Sequence, residues 1–227
     1  MQIVDLARSD VRTLNQRLHQ LPRDTNERAW RILNPRGAHA VAVGLNLAVE
    51  IHVEGHVGYY CAGMNKEATV VIHGQCGWGV GENIMSGLVR VTGNASQAAG
   101  ASGHGGMVVI EGDAGPRCGI SMKGVDIVVG GSIGNFSAFM AQAGNLVVCG
   151  DAGDALGDSL YEADLYVQGK VASLGADCVE KKMTPKDVKI VAALLVKAGI
   201  KADAARFRHY GSARKLYHFN VDHADAY

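Results

Sequence analysis

Little in this sequence is typical of a redox centre, a disulfide framework or a membrane protein. The five cysteines are scattered and form no C-x-x-C pair; they are Cys61, Cys76, Cys118, Cys149 and Cys178. An odd, dispersed set of cysteines predicts free thiols in a reducing compartment. The longest apolar run, residues 190–196, is far shorter than the ~20 residues that cross a bilayer. The first residues lack the basic and apolar regions of a secretory signal, so we expect a cytoplasmic chain that contacts no membrane.

Net charge is also absent, although the charges are unevenly distributed. The chain has 22 basic and 22 acidic side chains, which gives no general reason to expect nucleic-acid binding. Residues 37–179 carry 5 basic and 13 acidic side chains, residues 1–36 carry 7 and 4, and residues 180–227 carry 10 and 5. Of the 30 glycines, 28 lie between residues 37 and 179. We therefore divide the chain into an N-terminal extension (1–39), a glycine-rich middle (40–180) and a C-terminal extension (181–227).

The glycine-rich middle repeats with a period of 19 residues. Seven glycines have this spacing: Gly55, Gly74, Gly93, Gly112, Gly131, Gly150 and Gly169. The residues four and two places before each of them are all branched aliphatics, which predicts a strand with one buried face. Small residues recur three and seven places after these glycines. We expect the glycines to form corners with positive φ, and small residues stacked at one corner to let successive turns approach closely. A second inward ladder, from Val57 to Val171, lies two places after each glycine.

A sustained period of this length is the signature of a solenoid. We predict a mostly β fold, a single-stranded, right-handed parallel β-helix of about seven 19-residue turns that share one continuous core. Because the ends of such a coil are open sheet edges, we expect short helical extensions to cap it. The cationic extensions are predicted to lie against the acidic coil.

The extensions carry helix signals. Residues 9–21 have apolar residues at helical spacing, with Ser9 as the predicted N-cap. Residues 184–198 predict a second helix that begins after Thr184 and stops at Gly199. A third helix is predicted to start near Asp203 and to carry Phe207, Tyr210, Leu216 and Phe219.

One outward-facing row of the predicted sheet is too apolar for a solvated surface. Three places before successive corner glycines stand Val109, Val128, Val147 and Tyr166. A contiguous apolar stripe on the outside must be covered. The sequence leaves two covers open, a helix of the chain's own extensions or the interface with another subunit.

Candidate reactive residues are few. His52, His56 and Cys61 lie close in sequence and could approach a metal ion, but a strand and a corner separate them, so we favour structural roles. Cys118 could be a nucleophile, but no partner base is specified by the sequence. We therefore predict no catalytic, cofactor-binding or metal-binding residue in this chain.

Other motif interpretations fit less well than the repeat. The G-x-G-x-G segment at residues 77–81 is not followed by a helix pattern, as a phosphate site requires. The GDAG turns at 112–115 and 150–153 resemble calcium-binding corners, yet that class uses a nine-residue period. The six-residue period of the hexapeptide acyltransferases does not fit, because 19 is not a multiple of six. An RNA site is a further alternative for the C-terminal cations and aromatics, which are Arg206, Phe207, Arg208, Tyr210, Arg214, Lys215 and Tyr217.

The repeat resembles the C-terminal GXGXG β-helix domain (domain 3) of glutamate synthase. The most specific segments are GGSIGN at 130–135, GDAG at 150–153 and LYVQGKVASLGADC at 165–178. The ends, Asp5-Leu6, Leu14-Asn15 and FRHYGSARKLYHF at 207–219, are similar to the stand-alone, GlxC-like members of this family, which include the β-helix subunit of N-methylglutamate synthase. With the ends included, the resemblance covers nearly the whole chain.

The resemblance implies a division of labour among subunits. The family complex makes N-methyl-L-glutamate and ammonia from L-glutamate and methylamine, so the expected activity is that of a transferase of methylamine metabolism. A class II glutamine amidotransferase-like subunit and an FMN and iron–sulfur glutamate synthase-like subunit are the expected partners. This chain has Gln2 after Met1 and no cluster-binding cysteine set, so no family catalytic residue matches it. Its implied role is non-catalytic: it docks both partners in a hetero-oligomer and shields the amine path between them.

Two alternatives remain at this point. The same β-helix occurs in one subunit of formylmethanofuran dehydrogenase and in related formyltransferase/hydrolase complexes, although the ends of this chain fit that class poorly. The other alternative is a self-standing assembly module. Co-purification distinguishes them, since FMN-bearing partners favour the amidotransferase-type complex and a lone homo-oligomer favours the assembly module.

Overall fold

A computed structural model describes residues 1–214, in which strands dominate. Their elements in chain order are β1 (Gln2–Asp5), α1 (Val11–His19), β2 (Ala29–Leu33), β3 (Glu50–Glu54), β4 (Thr69–Ile72), β5 (Leu88–Val91), β6 (Met107–Ile110), β7 (Lys123–Val129), β8 (Ala143–Val148), β9 (Asp164–Val167), β10 (Cys178–Lys181), α2 (Pro185–Ala198), the short 3₁₀ helix Ala204–Arg206 and β11 (Arg208–Ser212).

The strands form one sheet whose order follows the chain. From β1 to β9 each strand pairs in parallel with the next, and β11 is inserted antiparallel between β9 and β10. Register advances by 19 residues from β3 to β9, so that Ile51 pairs with Val70 and Val70 with Val89. The parallel β-solenoid of about seven turns is therefore confirmed. The sheet also crosses both predicted boundaries, since β1 and β2 precede residue 40 and β11 follows residue 181.

Two stacked ladders form a large part of the core of the coil. The fourteen aliphatics four and two places before the corner glycines, from Ile51 and Val53 to Leu165 and Val167, are all fully buried. The second ladder is confirmed by parallel bridges that join Val57, Cys76, Ala95 and the equivalent residues of each later turn up to Val171. Each turn thus contributes one long strand and one single-residue bridge to a shared interior.

The corner glycines are required for a reason other than the predicted one. Among the seven, Gly55 alone has positive φ, at 129°. The others are needed because the preceding turn lies too close for a side chain: a Cβ at Gly150 would approach the carbonyl carbon of Gly131 to 2.6 Å. Close stacking, not left-handed backbone, explains these positions.

The residues with left-handed backbone conformation lie in the part of each turn that comes after the corner glycine. Five, seven and nine places after the glycines from Gly55 to Gly150, all eighteen residues have φ between 52° and 68°. The predicted small residues seven places on, such as Ala62 and Gly100, are among them, but so are Phe136 and Met140. Their amides alternate in direction, since Ala98 donates to Pro116 in the next turn and Gly100 to Val80 in the previous one. This ladder stabilises a conformation that costs most L residues ~1–2 kcal/mol.

The extensions differ in part from the predictions. The N-cap of α1 is Asp10 rather than Ser9, because the Asp10 side chain accepts from the Thr13 amide. Helix α2 is confirmed, with a Thr184–Asp187 capping box and a left-handed Gly199 at its end. The third helix is wrong: one 3₁₀ turn leads into strand β11, where Tyr210 pairs with β9 and β10. Leu216 and Phe219 lie outside the described residues.

Helix α1 closes the first turn of the coil through side chains that replace a missing strand. The Asn15 amide donates to the Ala40 carbonyl at 2.8 Å, and its oxygen accepts from the Ala42 amide at 2.9 Å. The Nε2 atom of His19 lies 2.7 Å from the Val43 carbonyl. These bonds satisfy backbone groups that would otherwise form an open edge.

Candidate docking surface

The apolar stripe is covered by the chain's own helix. Val109, Val128, Val147 and Tyr166 are fully buried beneath the face of α2 that carries Val191 and Leu195. The sequence allowed either an extension helix or another subunit to cover the stripe, and in the structure the extension helix covers it. The stripe is inaccessible as an interface with another subunit, because none of its side chains reaches the surface.

The contact between α2 and the coil is apolar rather than ionic. The lysines of α2 form no ion pair within residues 1–214. The predicted contact of the cationic extensions with the acidic coil is made by arginines instead, since Arg23 pairs with Glu67, Arg31 with Glu54 and Arg214 with Asp177. In the polar contact at the C-terminus of α2, the cation belongs to the coil and the acceptor to the helix, since Arg90 donates to the Ala198 carbonyl at 2.6 Å. A cation at this end also complements the helix dipole.

The three residues that could have approached a metal do not converge. The Nδ1 atom of His56 accepts from the Gln75 amide of the next turn at 2.9 Å. Cys61 is fully buried in the core. His52 lies on the outer face of the sheet, where its nitrogens are 2.8 Å from His73 Nε2 and 2.9 Å from Glu50 Oε1. Within residues 1–214, no group of three or more metal-binding side chains is assembled.

The cysteines are placed for packing rather than for chemistry. All five are free thiols, and only Cys149 among them is partly exposed. Burial raises the pKa of Cys61 and of Cys118 to about 12. Because the thiolate is the nucleophile, these two side chains are unreactive near neutral pH.

The glycine-rich and acidic corners are also occupied by structural contacts. Gly79 and Gly81 are left-handed residues of the corner side. In the two GDAG turns, Asp113 accepts from the Ser132 amide and Asp151 from the Lys170 amide, at 2.7 and 2.6 Å. Each carboxylate thus bonds the backbone of the turn that follows it.

The C-terminal cations and aromatics do not form an open nucleic-acid face in the described part of the chain. Phe207 and Tyr210 are buried. Arg208 lies 3.8 Å from Glu180, and Arg214 pairs with Asp177. Lys215 and Tyr217 lie outside the described residues.

A buried polar cluster that no sequence pattern indicated anchors the start of α2. His209 Nε2 lies 2.7 Å from Asp164, its Nδ1 is 3.8 Å from Asp187, and its ring stacks on Tyr166. Burial alone would raise the pKa of the Asp187 carboxyl, but hydrogen bonds from the Thr184 hydroxyl and amide, the nearby His209 and the Tyr166 hydroxyl hold that pKa below its ordinary value. These residues come together only because β11 returns beside β9, which no local pattern signals.

Several exposed apolar side chains follow the corner glycines and form two patches on the coil. The first, here called the N-terminal patch, contains Tyr59, Met64, Trp78 and Met85, each between 42% and 56% exposed. Three turns further on, the C-terminal patch contains Phe136 and Met140, which are 44% and 50% exposed, with Phe139 in edge contact with Phe136. Exposed aromatic and methionine side chains of this kind are typical of protein interfaces.

The N-terminal patch is continuous with a cleft beside α1. His39 stacks on Tyr59 at a ring distance of 4.1 Å, and Trp78 follows at 6.2 Å. His39 also lines an open cleft of about 860 Å³ against Arg12 and His19 of α1. The sequence signal for the patch is the fourth residue after the corner glycine, where Tyr59 and Trp78 occupy consecutive turns.

No helix among residues 1–214 combines the length and the apolar composition needed to cross a membrane. No family model matches the sequence, and no solved structure matches it. A curated protein from Rhizobium meliloti (strain 1021), called Protein GlxC, is 58% identical in an alignment of 228 positions that covers all of this chain and all of that protein. At this identity and coverage, the chain belongs to the GlxC family.

Proposed function

We propose that this chain is the non-catalytic, docking subunit of a glutamate synthase-like complex, and specifically of N-methyl-L-glutamate synthase. The observation that carries the proposal is the full-length relationship to Protein GlxC, together with the sequence resemblance to the glutamate synthase β-helix. The packing of Cys61 and Cys118 in the core supports a role without covalent chemistry. The chemistry is assigned to two partner subunits, one amidotransferase-like and one that binds FMN and an iron–sulfur cluster.

The architecture suits a spacer between active sites. Successive turns are joined by backbone hydrogen bonds along the whole coil, and rigid elements hold reacting groups at a fixed separation better than loops do. The interior is filled by buried aliphatic ladders. An amine passing between the partners would therefore travel along the outer surface of the coil, shielded by the subunits docked there.

The N-terminal patch is the proposed docking surface for one partner. Tyr59 and Trp78 present large, half-exposed rings next to the α1 cleft. Aromatic anchors beside a pocket are frequent hot spots of protein interfaces. The patch also lies away from α2, so a partner bound there would leave the helix undisturbed.

Reconstitution with both partner subunits tests the proposal. The three chains together should form N-methyl-L-glutamate from L-glutamate and methylamine, and omission of this chain should abolish stable assembly. The Tyr59→Ser/Trp78→Ser variant should lose one partner on size-exclusion chromatography, whereas Met140→Ser in the other patch serves as the matched control. Full activity of the partners without this chain, or turnover by this chain alone, would contradict the proposal.

A further inference from the structure

The C-terminal half of the molecule carries its charges in two blocks of sequence. Residues 181–202 contain six lysines and one acidic residue, Asp187, which is buried. Residues 124–169 contain six acidic residues and no lysine or arginine. The two segments are packed together, because α2 lies on the outer face of the sheet of the same turns.

The positive side is the exposed face of α2. Lys186, Lys189 and Lys197 are exposed and form no ion pair within residues 1–214. Val196 of the same helix is 82% exposed. It borders a largely apolar groove of about 840 Å³ that continues to Ile200 and whose charged lining residues are Lys201 and Asp203. An apolar centre with a charged rim is the usual anatomy of a protein interface.

The negative side is the C-terminal patch. Phe136 and Met140 form its apolar centre. Asp154 and Asp158 occupy the next turn, and neither forms an ion pair among the described residues. Arg117 stands one turn before Phe136, so the acidic rim is confined to the side toward the end of the coil.

The two surfaces are complementary but cannot meet within one chain. Helix α2 covers the outer face of the long strands, whereas Phe136 and Met140 lie five and nine places after the corner glycine, on a different side of the turn. We propose that a second copy of this chain docks its C-terminal patch against the exposed face of α2, where Lys186, Lys189 and Lys197 lie on the helix that carries Val196 and borders the groove. The contact is heterologous, since each copy offers one surface and accepts the other.

Sedimentation velocity of the isolated chain tests this pairing. The wild-type chain should show a faster-sedimenting species at about 20 mM salt that is lost at about 500 mM, where exposed charges are screened. The groove variant carries Lys186→Glu, Lys189→Glu and Lys197→Glu. The patch variant carries Phe136→Asn and Asp154→Lys, with Asn chosen because it tolerates left-handed φ. Each variant alone should lose the associated species, and Trp78→Asn in the N-terminal patch should retain it.

An equimolar mixture of the two variants provides the decisive measurement. The patch variant keeps an intact groove and the groove variant keeps an intact patch, so the mixture should form a heterodimer that does not grow further. Recovery of the pair also shows that both variants are folded. A wild-type chain that stays monomeric at low salt, association that survives in either variant, or a mixture that stays monomeric would each overturn the proposal.

Discussion

Individual residues in this coil are selected by the distance between turns as much as by backbone conformation. Gly150 adopts no left-handed φ, yet a Cβ there would lie 2.5 Å from Ser132 Oγ and 2.7 Å from the Gly131 carbonyl oxygen. Gly37 is the opposite case, with φ of 74° and no atom within 4 Å of the point that a Cβ would occupy. The two glycines therefore separate a steric requirement from a conformational one.

We predict that Gly150→Ala destabilises the chain by about 2 kcal/mol or more, because the methyl group must push two turns apart. The matched control, Gly37→Ala, should cost about 1 kcal/mol from its backbone alone. Urea unfolding followed by circular dichroism measures both. Equal losses would mean that stacking does not restrict the Gly150 position.

Asn15 is the residue on which the N-terminal closure depends. Asn15→Ala removes both the donor to Ala40 and the acceptor for Ala42, and we expect a loss of ~1–3 kcal/mol for the groups left without partners. Gln16→Ala, on the exposed side of α1, is the control and should be nearly neutral. Hydrogen exchange at the Ala42 amide reports the opening directly, and unchanged protection there would refute the assignment.

At the scale of elements, α2 packs its inner face on the apolar stripe of the sheet and excludes solvent from it. Its limits were predictable because Thr184, Pro185, Asp187 and Gly199 are strong local signals. Strand β11 was not predictable in the same way. Its aromatics fit a helix or a strand equally well, and its conformation is decided by pairing with β9, which is about 40 residues distant.

Val128→Glu should release α2 while leaving the coil folded. The new carboxylate would be buried against Val191 and Leu195 without a partner, and a helix can leave at lower cost than an unpaired charge can be buried. Limited proteolysis within residues 185–198 is the readout. Val196→Glu, on the exposed face of the same helix, is the control and should retain wild-type resistance.

The anchoring of α2 should weaken in acid. The folded-state pKa of Asp187 lies below its ordinary value, so the stabilisation from its ionised form is complete above that ordinary value and is lost as the pH falls through the lower one. The groups that face it are Thr184, Tyr166 and His209, with Asp164 beyond. Proteolytic release of α2 should increase below about pH 4, and Asp187→Asn should remove most of this dependence.

At the scale of the whole molecule, the 19-residue repeat made the coil predictable. The segments that depart from this spacing could not be predicted in the same way. Fourteen aliphatic positions and seven glycines specify the stacking of the coil. Strand β2 escapes the pattern because its pairing with β3 spans 21 residues, from Ala29 to Glu50, and β1 escapes it because its pairing with β2 spans 28, from Gln2 to Trp30. The patches at Trp78 and Phe136 could be found only once the repeat positions that face solvent were known.

Unfolding should proceed inward from the ends, because each turn contacts mainly its neighbours. Cys61 lies near the start of the coil, Cys178 at its end and Cys118 in the middle. In sub-denaturing urea we expect a thiol reagent to label Cys61 and Cys178 before Cys118, and Asn15→Ala to accelerate Cys61 alone. Mass spectrometry of the labelled peptides gives the order, and simultaneous labelling would indicate a single cooperative unit.

The fixed register from β3 to β9 also limits how the molecule can change in size. A single residue inserted into a strand turns the side chains that follow it to the opposite face unless a bulge absorbs it, as the register shift between Lys123 and Asp126 of β7 does. A complete set of 19 residues can be gained or lost with each ladder kept intact. The separation between two proteins bound near opposite ends of the coil can therefore change only in whole multiples of the distance between turns, ~4.8 Å. Relatives that hold their bound proteins farther apart would therefore differ by complete 19-residue turns.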